Sequence, residues 1–303
     1  MTSLHTIGTP TSPSSITALT TDDIHLYCSY INGLITAWEK PNFDSFKQVP
    51  SHSSTYLNSL FADKQYVYGG TTWNDCSIRI YDKSNLSLIK TIEGPLGTVF
   101  VFASDDDYLF SGSGDSKVFI WNKKDWKEAG SVSGQRHFIL SLAIDDRHIF
   151  AGGIDDCINV FARDDLSQIT SLEGHDANVL SLATDEKYLY SGSGELWWGG
   201  PGSPRPPEFE SAVRVWDKND WSCIAVLEGH TDNINAIAID HHFVYSVSDD
   251  STLRIYSKNS WDQVLCINPD VLRIDVMTSD EKFIYIGCAD GSVRKFSKEN
   301  LES

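Results

Sequence analysis

Aspartate, and lysine or arginine, each recur seven times along this chain at intervals close to 40 residues. The acids are Asp22, Asp63, Asp105, Asp145, Asp185, Asp240 and Asp280, and the bases are Lys40, Lys83, Lys123, Arg163, Lys218, Lys258 and Lys298. The acid pairs Asp155-Asp156 and Asp249-Asp250 and the histidine pair His241-His242 have the composition of acid–base or metal sites. Such chemistry needs a cluster that departs from its surroundings, whereas these carboxylates return once per repeat. Repetition assigns them to turns, where an Asp side chain bonds the nearby backbone. Opposite charges interleaved on exposed turns predict local ion pairs worth under about 1 kcal/mol each. Adjacent histidines on a strand or tight turn point apart, so His241-His242 reads as a solvated turn. No G-x-S-x-G elbow, H-E-x-x-H helix or P-loop is present. The sequence therefore predicts no catalytic residue, no metal and no cofactor.

Composition narrows the partners. Among 303 residues there are 42 acidic and 24 basic ones, a net charge of −18, and a hydrophobic fraction of 41% ample for a core. Nucleic-acid binding needs a dense basic surface that displaces counterions, and an anionic membrane makes the same demand. Neither is expected here; the acidic excess instead predicts a soluble monomer. The six cysteines form no C-x-x-C and fall in or beside predicted strands, which favours buried, reduced thiols over metal or disulfide sites. The first residues, MTSLHTIGTPTSPSS, lack a secretory pattern, and no run approaches the ~20 apolar residues of a membrane span. A cytoplasmic location is the expectation.

The elements that would carry these residues emerge from the repeat itself. An aromatic ends one short β-rich run in each unit: Trp38, Tyr81, Trp121, Phe161, Trp216, Tyr256 and Phe296, at spacings of 43, 40, 40, 55, 40 and 40 residues. Five residues after each recurrent aspartate stands Tyr27, Tyr68, Phe110, Phe150, Tyr190, Tyr245 or Tyr285. In the fifth unit NVLSLAT, YLYSGS, SAVRVW and CIAVLEG read as four strands, separated by turn-forming Asp, Gly, Ser and Asn. The fourth run spaces its apolar residues three and six beyond a bulky turn residue, as in Ile224 and Leu227 after Trp221, which suggests a bulge. The chain is all-β. A unit this small cannot bury its own apolar face, so a period near 40 predicts a stacked or circular array.

At this point the residues resemble the WD40 repeat family. The likeness rests on Gly174-His175 and Gly229-His230 before a first strand, Ser191-Gly192-Ser193 closing a second, Asp250 ahead of a third, and the dipeptide Trp216-Asp217. It implies a seven-bladed β-propeller of four-stranded antiparallel blades spanning residues 1–303, a protein-interaction platform without catalysis. It also implies hydrogen-bonded tetrads in two blades: His175, Ser191, Glu210 and Trp216, with Glu in the place of Asp, and His230, Ser246, Asp250 and Tyr256, with Tyr in the place of Trp. The other five units lack the Gly-His.

The seventh unit stops without a fourth strand, and the N-terminus starts in the missing phase, LHTIG resembling TSLEG. Residues 3–8 are therefore expected to complete the last blade, which would remove an open strand edge.

Departures from the repeat mark the expected site. Of nine tryptophans only Trp73, Trp197 and Trp198 occupy no repeat position, and all three fall between a second and a third strand. The second repeat has three extra residues there and the fifth has fifteen, within GELWWGGPGSPRPPEFES, a predicted top-face insertion at 194–210. Its prolines stiffen the segment, and Arg205 and Phe209 add contacts beside Trp197 and Trp198. The resemblance places Ser15, Tyr56, Thr98, Phe138, Asn178, Asn233 and Arg273 around the mouth of the central channel. Trp73, Trp197, Trp198, Arg205, Phe209, Tyr56, Phe138 and Arg273 are thus the candidate contacts for a protein or peptide. The alternative is a propeller enzyme or small-molecule receptor, lyase- or hydrolase-like, acting at the channel mouth.

Overall fold

In the computed structural model, which describes residues 5–7, 15–43, 46–52, 56–195, 210–299 and 301, every β-rich run of the repeat is a strand. The strands form seven antiparallel sheets of four. Blade 1 spans residues 16–50, blade 2 57–93, blade 3 99–133, blade 4 139–173, blade 5 178–227 and blade 6 234–267. Blade 7 spans 274–297, and His5–Ile7 is its fourth strand, paired antiparallel with Val293–Ser297. The innermost strands neighbour one another in order, and that of blade 7 returns to that of blade 1. The ring is closed by the N-terminal strand. Ile7 is buried there beside Val293, whereas Leu4 lies outside the described residues.

Apolar periodicity places the core between blades. All seven anchoring aromatics are buried, and each cluster joins neighbours, as where Tyr190 and Val213 of blade 5 meet Ile234 and Val244 of blade 6. The fourth-strand bulge exists in blades 2 to 6: Trp216 faces Cys223 while Val215 faces Ala225, leaving Ile224 as the extra residue. One consequence differs from the sequence expectation. The apolar residue three beyond the turn is the bulged one and points outward, leaving Ile224 41% exposed, whereas Leu227 is buried. The innermost strands are bulged too, at Thr17, Asn58, Phe100, Leu140, Leu180, Asn235 and Asp275. Cysteine burial is also only partly as expected: Cys28 and Cys288 are buried, but Cys223 and Cys266 are exposed on outermost strands.

The recurrent charges are not local pairs on exposed turns. Each base bonds the aspartate of the preceding blade: Lys83 to Asp22 at 2.7 Å, Lys123 to Asp63 at 2.5 Å, Lys218 to Asp145 at 2.6 Å and Lys258 to Asp185 at 2.8 Å. Arg163–Asp105, Lys298–Asp240 and Lys40–Asp280 complete the circle. The aspartate's other oxygen accepts the backbone N–H groups of its own turn, as Asp63 does from Gln65 and Tyr66. Five of the seven also accept a tyrosine hydroxyl from five residues on. Burial alone would raise these carboxyls, but the cation and the turn amides outweigh it and lower them, Asp145 to about 2.

Beside each pair, a bulky residue of the turn before the fourth strand adopts a left-handed conformation. Phe43, Leu86, Trp126, Leu166, Trp221 and Trp261 have φ between 53° and 64°. A Cβ there costs on the order of 1 kcal/mol. Packing offsets it: Trp126 meets Tyr66 and Tyr68 of blade 2, and Trp261 meets Tyr188 and Tyr190 of blade 5.

Candidate binding face

The turns joining first to second strands, and third to fourth, carry the ion-pair ring on one face. Segments entering each blade and loops between second and third strands lie on the other. That face holds Trp73 and the two roots of the fifth-blade insertion.

Trp73 sits on a hydrogen-bonded loop. Asp75 and Cys76 donate their backbone N–H groups to Thr72 O at 2.9 Å each, Asp75 binds Arg79 and Ser77 Oγ at 2.7 Å, and Thr71 Oγ1 accepts Ser77 N–H at 2.7 Å. The ring of Trp73 is left 75% exposed. On the neighbouring loop Leu96, 86% exposed, has its backbone N–H held by Asp115 Oδ2 at 2.9 Å.

Trp197, Trp198, Arg205 and Phe209 lie outside the described residues. The two roots of their insertion are described, and both are anchored. Glu195 N–H bonds Asn233 Oδ1 at 2.7 Å, its carbonyl accepts from Asn233 Nδ2 at 3.2 Å, and its carboxylate accepts from Asn178 Nδ2 at 3.0 Å. Glu210 N–H bonds Asp176 at 2.9 Å, its carbonyl accepts Ser193 Oγ at 2.6 Å, and Arg214 grips its carboxylate by two bonds of 2.9 Å. Two residues of the predicted channel ring, Asn178 and Asn233, therefore hold the insertion's base.

The rest of that ring divides. Ser15 is exposed and Thr98 buried, and Tyr56 and Phe138 are half-buried. Phe138 stacks on Phe100 at 5.7 Å. Arg273 donates to Asp275 at 2.5 Å and lies 3.7 Å from Asp249. Asp249 also accepts from Asn233 at 3.1 Å and Asn235 at 2.7 Å. Burial pushes the Asp275 carboxyl up, and Arg273 partly opposes it. These side chains satisfy one another and join blades 6 and 7. Blade 2 and blade 5 stand three steps apart in the ring, so the structure does not bring Trp73 against the insertion's roots. Among the described residues no group of three or more His, Cys, Asp or Glu is arranged to hold a metal.

The tetrad positions show different wiring in each blade. In blade 5 Ser191 Oγ bonds His175 Nε2 at 2.7 Å and accepts Trp216 Nε1–H at 2.8 Å, with Glu210 at 3.5 Å from His175 Nδ1. In blade 6 His230 bonds Ser246 and Asp250 at 2.8 Å each, and Tyr256, in the place of Trp, donates to Glu228 O at 3.1 Å. Blade 3 keeps a fragment that sequence reasoning missed, Trp121 Nε1–H to Ser111 at 2.9 Å. In blade 4 Gln135 stands where His would and donates to Ala151 O at 2.7 Å. Aligning the repeats on their aspartates exposes both positions.

Residues 86–122, 166–199 and 221–257 match the WD40 family model, described as WD domain, G-beta repeat. The fold matches the crystal structure of the WD40 beta propeller domain of Doa1 with a TM-score of 0.81 over 99% of each chain, at 20% identity. No curated protein matches.

Proposed function

We infer that this chain, a seven-bladed propeller carrying WD40 repeats, is a non-catalytic scaffold that binds a protein or peptide on the face opposite its ion-pair ring. WD40 propellers generally bind proteins or peptides. The observation carrying the reading here is Trp73, held 75% exposed by a hydrogen-bonded loop. An exposed tryptophan on a preorganised loop buries a large area with little entropy lost, the property of an interface anchor. Anchored roots favour the insertion as a second contact, with Trp197 and Trp198 its contact residues by sequence. The acidic surface argues against nucleic acid and membrane partners and for a monomer, and six free cysteines suit a reducing, cytoplasmic setting.

Affinity recovery of partners from the native cell tests this. Trp73→Ala, and separately Trp197→Ala with Trp198→Ala, should each lose partner while melting as the parent does. Full recovery by both variants refutes the reading.

A further inference from the structure

Four blades place an arginine two residues before the buried aromatic of the third strand: Arg79, Arg214, Arg254 and Arg294. Each lies in the same slot at the top edge of its blade. The slot is bounded by the acid of the preceding loop, the outermost strand and the segment entering the blade. Arg79 donates to Asp75 and to Thr91 at 2.7 Å each. Arg214 takes both oxygens of Glu210. Arg254 donates to Gln263 Oε1, and Arg294 lies 3.5 Å from Asp290 and donates to Pro269 O.

Blade 4 has Asn159 at this position, too short to reach, and Gln168 Nε2 donates to its Oδ1 at 3.0 Å. What remains is a cavity of about 810 Å³, lined by the counterparts of those arginine contacts. Asp155 stands where Asp75 and Glu210 do, Ser171 where Thr91 does, Gln168 where Gln263 does, and Gly134 where Pro269 does. Gln168 Oε1 is placed as Gln263 Oε1 is: a Cβ on Gly134 would meet the first at 3.1 Å, and one on Gly229 the second at 3.2 Å. Blades 1 and 3 use the position differently, Thr36 accepting from Gln48 at 3.1 Å and Phe119 stacking on Trp121.

We propose that the blade 4 cavity binds the guanidinium of an arginine presented by a partner protein, which supplies from outside what blades 2, 5, 6 and 7 supply from their own third strands. A planar guanidinium can take Asp155 through two N–H groups while reaching Gln168 Oε1 and Ser171, which a compact ammonium cannot span. The lining is complementary in charge, since Asp155, Asp156 and Glu173 face Arg136 as the one permanent cation. Burial, then Asp155 and Asp176, hold the Asp156 carboxyl above its usual range, a strain that a cation relieves. This rests on the binding-face reading above, because the cavity opens at that face.

The experiment titrates N-acetyl-L-arginine methylamide, and its lysine counterpart, into the full chain and follows backbone amide shifts. The arginine probe should shift residues around Asp155 and Gln168 and bind at least about tenfold more tightly than the lysine probe. Asp155→Asn should weaken it about tenfold. Asn159→Arg, which places the chain's own guanidinium in the slot, should abolish probe binding and reduce partner recovery. Equal binding of the two probes, no binding, or binding unchanged in either variant overturns the proposal, as does full partner recovery by Asn159→Arg. Trp73→Ala should leave probe binding unchanged, so failure of the binding-face reading is seen separately from failure of the cavity.

Discussion

Lys40 Nζ lies 2.6 Å from Asp280 Oδ2 although 240 positions separate the two residues. The pair crosses the seam between blade 1 and blade 7, where His5–Ile7 also closes the ring. The bond is one of seven of the same design, so the seam is held as every other blade boundary is. The value of each pair depends on its burial. Lys123 and Asp63 are 6% and 8% exposed, whereas Lys64 and Asp106 form a pair 85% and 83% exposed. Lys123→Met strands a buried carboxylate and should cost about 3 kcal/mol. Lys64→Met should cost under about 0.5 kcal/mol. Urea denaturation of the two variants checks the contrast, and equal midpoints would show the buried ring to be energetically idle.

The same pairs set the acid limit of the fold. Asp145 is lowered from 3.8 to about 2, and Asp63, Asp185 and Asp280 are lowered in the same direction. Their folded-state affinity for protons is weaker than in the unfolded chain. The stabilisation is therefore complete above the unfolded value near 4 and is lost as pH falls through the folded values, which is about 2 for Asp145. Melting temperature should be flat from pH 7 to about 5 as far as these groups are concerned, then drop steeply. In Lys218→Met the folded value of Asp145 moves back toward the unfolded one, so stability near pH 7 should be lower and the acid drop correspondingly smaller.

Closure makes a separate demand on the first residues. Ile7 is 3% exposed and pairs with Val293. Ile7→Asp places a charge in that apolar seam and should lower stability by about 3 kcal/mol or more. Deleting residues 1–8 should lower the melting point and generate oligomers, since the third strand of blade 7 then presents its edge. Light scattering alongside calorimetry distinguishes the two effects. An unchanged midpoint and monomer fraction in the deletion would refute the role of this strand.

How much of this was legible in the sequence varies with the range of the interaction. Blade phase, turn aspartates and the missing fourth strand could be read because each is local and repeats in register. The partner of Lys218 could not, because the repeat offers Asp145 and Asp185 at equivalent positions and only the packing of blades selects the former. The outward turn of Ile224 was hidden for a different reason: hydrophobicity marks a residue for burial, and the bulge overrides it. The resemblance assigns Asn178 and Asn233 to the channel mouth, but their grip on Glu195 depends on a loop that no other blade has. The arginine slot was visible in principle as a column of Arg79, Arg214, Arg254 and Arg294, interrupted at Thr36, Phe119 and Asn159. Its meaning needed the contacts.

Left-handed turn residues separate backbone strain from packing. Trp221 has φ of 64° and packs on His148 and Phe150 of the preceding blade at 5.2 and 6.2 Å between ring centroids. Trp221→Ala should lose the ring and cost about 3 kcal/mol. Trp221→Gly loses the same ring but relieves the backbone, so it should be about 1 kcal/mol more stable than the alanine variant. That ordering reverses the usual penalty for glycine. Chemical denaturation of the pair reads it directly, and alanine more stable than glycine would contradict the left-handed assignment.

Ser191 and Ser111 test whether the blade 5 wiring acts as a network. Ser191 Oγ serves both His175 and Trp216, whereas Ser111 Oγ serves Trp121. Both serines are fully buried, so a lost partner cannot be replaced by water without opening the blade. Ser111→Ala leaves one indole N–H without its acceptor and should cost about 1–2 kcal/mol. Ser191→Ala strands the indole and the imidazole Nε2 together and should cost about 2–4 kcal/mol. His175→Ala should cost much less when introduced into Ser191→Ala than into the parent, because one shared bond has already gone. A double-mutant cycle measures that coupling, and strictly additive costs would show that the histidine and the serine act independently.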